Sequence, residues 1–252
     1  FLRVSQLDCF REHGIELARN SLAAKFSNSR QVIRRTLHDN TELRDDEEIQ
    51  KALKVLNEGL EKIFAVSTIE SAIGIEGNCA ESYFGIFDKL ITCEKVPFQF
   101  QVRTKRPPLD PVNALLSFVY TLSTAEYAAA LETVGLDSYI GFCHSLRSGR
   151  HSLACDLVEE ARCIVERFVL TLLNLQIIGK SDFETQLSGA VWLNADGRKK
   201  VLTRWQEKKR TDIVHPYLKQ KIPLGLLPYI QSNLLAKYVR GDIEEYPPFL
   251  LK

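Results

Sequence analysis

Three short stretches hold polar residues where the buried face of a helix would have none. In Gly74-Ile75-Glu76-Gly77 a carboxylate stands between glycines, and Tyr83 follows seven residues on, two turns along the same helical face. Glycine removes side-chain bulk beside the carboxylate, so a backbone, ligand or phosphate can approach it. In Gly141-Phe142-Cys143-His144 an imidazole ends an apolar pair, with Arg147, Arg150 and His151 just behind it. Loops held between rigid elements commonly carry sites, and arginine suits two-pronged phosphate contacts. In the run from Ser152 to Arg162, the residues Asp156, Glu159 and Arg162 recur at three-residue spacing and share a face. Each stretch alone has a plain reading: an exposed glutamate, a satisfied interior histidine, an ion pair to Arg162. Together, two carboxylates and an imidazole make an oxygen-rich donor set suited to Mn²⁺ or Mg²⁺ with positions left for water and phosphate. Such an ion polarises a phosphodiester, orients an attacking hydroxyl and stabilises the leaving oxygen. A structural zinc site would want four close-spaced Cys or His ligands, which the chain lacks.

The elements that must position these residues are helical almost throughout. Apolar residues at three-to-four spacing predict a first helix over 12–36. Asp45, Asp46, Glu47 and Glu48 form an acidic start for a second helix through Ile63. A third is expected over 66–91, then an extended stretch from Pro97 to Pro108. Asp110-Pro111 is a cap followed by a first-turn proline, launching a helix that stops at Gly135. Ser152 is read as the cap of the longest helix, 153 to about 177. Ala190–Leu193 is the one strand candidate, followed by an Asp196-Gly197 turn. Helices over 198–218 and 223–240 close the chain.

Of 252 residues, 45% are hydrophobic and 26% charged, which is ordinary globular composition and excludes a disordered tail or a collagenous repeat. The net charge of +1 announces no partner by itself. It hides nine Lys/Arg against three acids over 196–221, the better candidate for phosphate contact, and seven acids against four bases over 41–62. Six scattered cysteines with no Cys-x-x-Cys pair point to a reducing, cytoplasmic setting. Apolar stretches read as broken short of a membrane span, so no membrane partner is expected. The start at Phe1 and the absence of methionine point to part of a longer protein. No Gly-x-Ser-x-Gly elbow supports a serine hydrolase.

Four motifs in order are distinctive: Glu76-Gly77-x-x-Ala80-x-x-Tyr83-Phe84; Arg106-Pro-Pro-Leu-Asp-Pro-Val-Asn113; Gly135-Leu-Asp-x-Tyr-x-Gly-Phe-x-His144; and Arg147-x-Gly-Arg150 running on to Asp156, Glu159, Glu160 and Arg162. This pattern, with the ending Tyr246-Pro-Pro-Phe-Leu, resembles the CRISPR-associated protein 1 family, the integrase and endonuclease subunit of the spacer-acquisition complex, and looks most like the subtype I-C version. The resemblance implies a mainly α fold: residues 1–252 as the helical catalytic domain, with the family's N-terminal β-rich domain absent. It implies a catalytic metal site of Glu76, His144 and Glu159 holding Mn²⁺ or Mg²⁺, with Asp156 as a nearby acid that joins it in some members. Arg162 would be a basic partner of the site and, with Arg106, Arg147, Arg150 and Tyr83, contact DNA. The implied activity is insertion of protospacer DNA into a CRISPR array, by attack of a 3′-hydroxyl on a phosphodiester at the repeat boundary, as well as DNA cleavage. The implied partners are DNA, a second copy of the chain, and a dimer of the second CRISPR-associated protein. A branched-DNA repair nuclease with the same site, and a helical DNA-binding scaffold whose acids are only ion pairs, are the alternatives.

Overall fold

The computed structural model describes residues 2–93 and 96–251. Seven helices dominate: α1 (Leu2–Asp39), α2 (Glu47–Lys62), α3 (Ile69–Gly85), α4 (Pro111–Thr133), α5 (Ser152–Asn174), α6 (Ala195–Lys209) and α7 (Leu227–Val239). The fold is mainly α, as expected. Helix α5 is its axis, packed between α1 and α4; α2 and α3 lean on α1, and α7 closes over α4. Leu153, Leu157, Ala161, Ile164, Val165 and Phe168 of α5 are buried in the core, each large one worth about 1.5–3 kcal/mol of apolar transfer.

The expected starts and stops hold where local chemistry decides them. Asp46 caps α2 by accepting the N–H of Glu48 and Ile49 (3.0 and 3.1 Å), and Asp110 caps α4 through the N–H of Asn113 (2.8 Å). Other boundaries differ. Helix α1 begins at Leu2 rather than 12, because Gln6 on its buried face is satisfied by donating to the carbonyls of Asp137 and Ile140 (3.0 and 2.9 Å). The helix expected over 66–91 is shorter: Thr68 caps it, and a 3₁₀ turn, Phe87–Leu90, follows Gly85. Ser152 is the first residue of α5, and the residue before it, His151, makes no side-chain cap bond.

Strand content is the larger correction. Val191–Leu193 (β2) pairs antiparallel with Phe183–Thr185 (β1), Phe183 opposite Leu193. The helix expected over 198–218 ends at Lys209, and Asp212–Val214 (β3) pairs with Lys221–Pro223 (β4), Ile213 opposite Ile222. The β-branched pair Ile213-Val214, with Pro216 and Pro223 nearby, does not continue a helix. Asp196-Gly197 is no turn either; it lies in the first turn of α6, where Asn194 accepts the N–H of Gly197 (2.9 Å). Finally, α4 is long and apolar enough to cross a membrane, against the expectation that every apolar stretch is broken short. Its apolarity answers to packing on both α5 and α7.

A buried polar network ties the C-terminal segment to this core. Glu160 of α5 accepts from Tyr246 Oη and Gln231 Nε2 (2.7 and 2.6 Å) and from the N–H of Phe249 (3.1 Å). Because Gln231 Nε2 donates to Glu160, its Oε1 accepts from His215 Nε2 (2.9 Å), and His215 Nδ1 in turn accepts the N–H of Leu218 (3.2 Å). His215 is therefore the neutral Nε2–H tautomer, and burial holds its pKa below the usual value. Burial also outweighs the three donors at Glu160 and pushes its carboxyl up to about 7, against about 4.3 in an unfolded chain. Between those values the folded protein holds a proton that the unfolded chain has released. Glu160's contribution is thus full below the window and declines as pH rises through it, by about 4 kcal/mol. In thermal unfolding, the wild type is expected to lose more stability from pH 5 to pH 8 than Glu160→Gln; equal losses would contradict this.

Candidate active site

Helix α5 sets the site. Asp156 is fully buried there, and the loop before the helix wraps its carboxylate. Oδ2 accepts the N–H of Phe142 and Cys143 (2.7 and 3.0 Å), and Oδ1 accepts the N–H of His144 (2.9 Å) and its Nδ1–H (2.5 Å). The wrap is tight enough to require Gly141, since a Cβ there would stand 2.5 Å from Asp156 Oδ2 and 2.9 Å from the His144 carbonyl. The hydrogen bond to Asp156 raises the His144 pKa above its usual value, with burial opposing. With Nδ1 committed to the carboxylate, Nε2 is the nitrogen left for a ligand, the arrangement by which second-sphere acids orient metal-binding histidines. Both oxygens of Asp156 are spent. It positions His144 and has none left to ligate, which corrects the expectation that it might join the metal.

One turn on, Glu159 accepts from Arg162 Nη1 (3.0 Å). Its Oε2 lies 2.5 Å from Lys25 Nζ of α1, an ion pair with no donor aligned on that oxygen for a hydrogen bond. Burial works against ionisation of Glu159, but Arg162 and Lys25 outweigh it and hold the carboxyl at about 2. Glu159 is therefore charged at neutral pH. Lys25 also pairs with Glu76 Oε1. Helix α3 delivers Glu76 through a close approach to α2, where a Cβ on Gly59 would stand 2.3 Å from Cys79 Sγ. Gly74 and Gly77 have open space around them, which leaves the solvent side of Glu76 unobstructed.

Lys25, Glu76, His144, Glu159, Arg103 and Lys105 line one cleft of about 560 Å³. Burial, together with Arg162 and Arg103, lowers the Lys105 pKa, and the cleft sets Lys25, Arg103, Lys105 and Arg162 against Glu76, Glu81 and Glu159. That is a setting for an anion such as phosphate. The sequence reading missed Lys25, Arg103 and Lys105. Lys25 lies 51 residues from Glu76, and only its spacing on α1 from Ser21 and Asn28 marked it.

The expected DNA contacts divide. Arg106 is exposed and lines an adjoining groove of about 530 Å³ with Trp192 and Arg198. Arg147 is exposed, while Arg150 donates to the Ser145 carbonyl and to Ser152 Oγ (3.3 Å), tying the loop to α5. Arg162 lines the same cleft as Glu76 and Glu159, where it is bonded to Glu159 and stacked on Tyr120 at 4.3 Å. One expectation is corrected. Tyr83 is 2% exposed and packs on Phe84 and Phe87, in the core rather than on a DNA-facing surface.

Among the described residues no three His, Cys, Asp or Glu side chains are already clustered to hold a metal ion. The ammonium of Lys25 stands between the two carboxylates. The donors themselves fit a hard divalent ion, with a buried Glu159 oxygen lacking any aligned hydrogen-bond donor, a second carboxylate oxygen on the same cation, and an oriented imidazole. Asp156→Ala would leave three loop N–H groups without their acceptor. It is expected to cost about 3 kcal/mol or more in urea denaturation, at about 1–3 kcal/mol per buried unpaired group. An unchanged midpoint would show that the loop does not hang on this carboxylate.

Comparison with known proteins bears on the family and the fold. The sequence model of the family described as CRISPR associated protein Cas1 matches residues 1–207. A CRISPR-associated endonuclease Cas1 of Chlorobaculum tepidum is 43% identical over 235 residues, covering 93% of this chain and 68% of the relative. Two solved structures share the fold: a casposase bound to integration product (TM-score 0.84, 24% identity, 97% of this chain and 66% of that one) and a Cas6-RT-Cas1–Cas2 complex (TM-score 0.83, 22% identity, 100% and 26%). By the family match, and by its identity to that relative over most of its length, the chain belongs to the CRISPR-associated Cas1 family.

Proposed function

We propose that this chain is the catalytic part of a metal-dependent DNA endonuclease and integrase of CRISPR adaptation, acting in the cytoplasm and joining a protospacer 3′-hydroxyl to a repeat-boundary phosphodiester. The observation that carries this is the meeting of Glu76 and Glu159 on a single cation at the floor of a basic cleft, with His144 at its edge. Glu76, Glu159 and His144 Nε2 would hold Mn²⁺ or Mg²⁺. A bound divalent ion supplies Lewis-acid polarisation of the phosphodiester and stabilises charge on the attacking and leaving oxygens. The chain's own groups do the rest. Asp156 fixes the His144 ring, and Arg162 keeps Glu159 ionised. Lys105 and Arg103 offer positive charge to the scissile phosphate, and the exposed Arg106 and Arg147 track the strands beyond it.

Partners follow the same reading. A casposase with this fold is solved on an integration product, and another relative in fold is part of a complex with Cas2. DNA, a second copy of this chain and a Cas2 dimer are the partners we assign to it. A branched-DNA repair nuclease would use the same residues, so substrate decides between the two: half-site integration into a repeat-bearing duplex is expected, and cleavage of branched DNA alone would favour the repair reading. Glu76→Ala, His144→Ala and Glu159→Ala are each expected to abolish Mn²⁺-dependent strand transfer, a loss of 100-fold or more, while circular dichroism stays unchanged. Full activity in Glu76→Ala and His144→Ala would leave a non-catalytic DNA-binding scaffold as the better description.

A further inference from the structure

Lys25 stands between the two acids of the cleft, and the proposed chemistry leaves it without a role. Its placement is not incidental. Ser21, Lys25 and Asn28 fall at helical spacing on one face of α1 and meet α5 in register. Ser21 Oγ donates to the Asp156 carbonyl (3.3 Å), Asn28 Nδ2 donates to the Glu160 carbonyl (2.7 Å), and between them Lys25 reaches Glu159 Oε2 (2.5 Å). Two buried polar side chains thus clamp the backbone on either side of Lys25 and aim its ammonium between the carboxylates. The Lys25 side chain is only 11% exposed, Glu159 12% and Glu76 25%.

We propose that Lys25 is the resident cation of this site, holding the Glu76 and Glu159 carboxylates together in the metal-free protein and yielding its place to a divalent ion when one binds. The inference rests on the metal reading above. Two carboxylates sharing a poorly solvated site repel one another unless a cation stands between them. Arg162 cannot serve both, because it is bonded to the other oxygen of Glu159 and stacked on Tyr120. The oxygens that face Lys25, Glu76 Oε1 and Glu159 Oε2, are the two that a shared ion would use. Lysine also suits exchange better than arginine. Its charge is compact, and its four-carbon stem can swing aside, whereas a planar guanidinium would fix both carboxylates in a two-pronged grip. The cleft of about 560 Å³ gives the released ammonium room beside the ion.

The test compares Mn²⁺ binding by calorimetry in the full chain as wild type, Lys25→Met and Glu159→Gln, without DNA. Lys25→Met keeps an unbranched apolar stem one atom shorter and removes the competing charge, so its Mn²⁺ affinity is expected to rise about tenfold, within the 5–150-fold range of ordinary coupling between two ligands. In the wild type, reductive methylation of Lys25, read by mass spectrometry, is expected to speed up several-fold on saturation with Mn²⁺, as the ammonium leaves its buried seat. Unchanged or weaker Mn²⁺ binding by Lys25→Met overturns the proposal, and so does labelling that Mn²⁺ does not alter. Labelling uses the unaltered protein and decides alone if Lys25→Met does not fold. Glu159→Gln separates the two levels of the argument. If it binds Mn²⁺ as the wild type does, or if neither the wild type nor Lys25→Met binds, the metal reading fails and this one with it. If Glu159→Gln loses binding while Lys25→Met matches the wild type, the metal site stands and the role of Lys25 alone falls.

Discussion

Two carboxylates brought to one point need positive charge between or beside them, and most of what surrounds the cleft answers that requirement. Glu159 lies on the helix packed most deeply in the core, where an unpaired charge would cost several kcal/mol. Arg162 on the same helix takes one of its oxygens and Lys25 from α1 takes the other. Arg162 is supported in turn, with Tyr120 under its guanidinium and Glu166 accepting from Tyr120 Oη (2.6 Å). The acidic site is thus embedded in a larger cationic frame. Both carboxylates are thereby held against cations, with Lys105 and Arg103 in the same cleft.

Buried ion pairs of this kind seldom stabilise a fold over well-packed apolar side chains. Their concentration here, against an apolar core elsewhere on α5, marks where stability is given up for chemistry. The Glu160 network is the counterexample on the neighbouring position. It too is a buried carboxylate, but its donors come from Tyr246, Gln231 and the Phe249 backbone, all uncharged. Burial then wins, and Glu160 titrates near neutrality while Glu159 stays ionised down to about 2. Adjacent glutamates of one helix serve opposite ends: one anchors the C-terminal segment to the core, the other faces the cleft.

Much of this was legible along the chain. Asp46 and Asp110 announced their helices because capping is settled by a side chain and the N–H groups two or three residues away. Asp156, Glu159 and Arg162 were legible as one face because helical spacing is local. The motifs that resemble the Cas1 family pointed to Glu76 and His144 with them. The hairpins were harder: two three-residue strands have no period to read, and the Lys/Arg-rich helix before β3 masked its own end.

The sequence by itself determined the helical class, the principal caps and the three segments that supply carboxylates and imidazole, because each rests on contacts within a turn or two of chain. Tertiary structure alone decided what each residue does in the site. Asp156 became the orienter of His144 because a loop folds around it, Arg162 is fixed beside Glu159 because Tyr120 of α4 stacks on it, and Tyr83 turned inward because the phenylalanine cluster covers it. Lys25 entered the site from 51 residues before Glu76, by way of an α1–α5 register set in Ser21 and Asn28. Charge pairing at such sequence distance leaves no local pattern; it exists only once packing has excluded the water that would otherwise screen it.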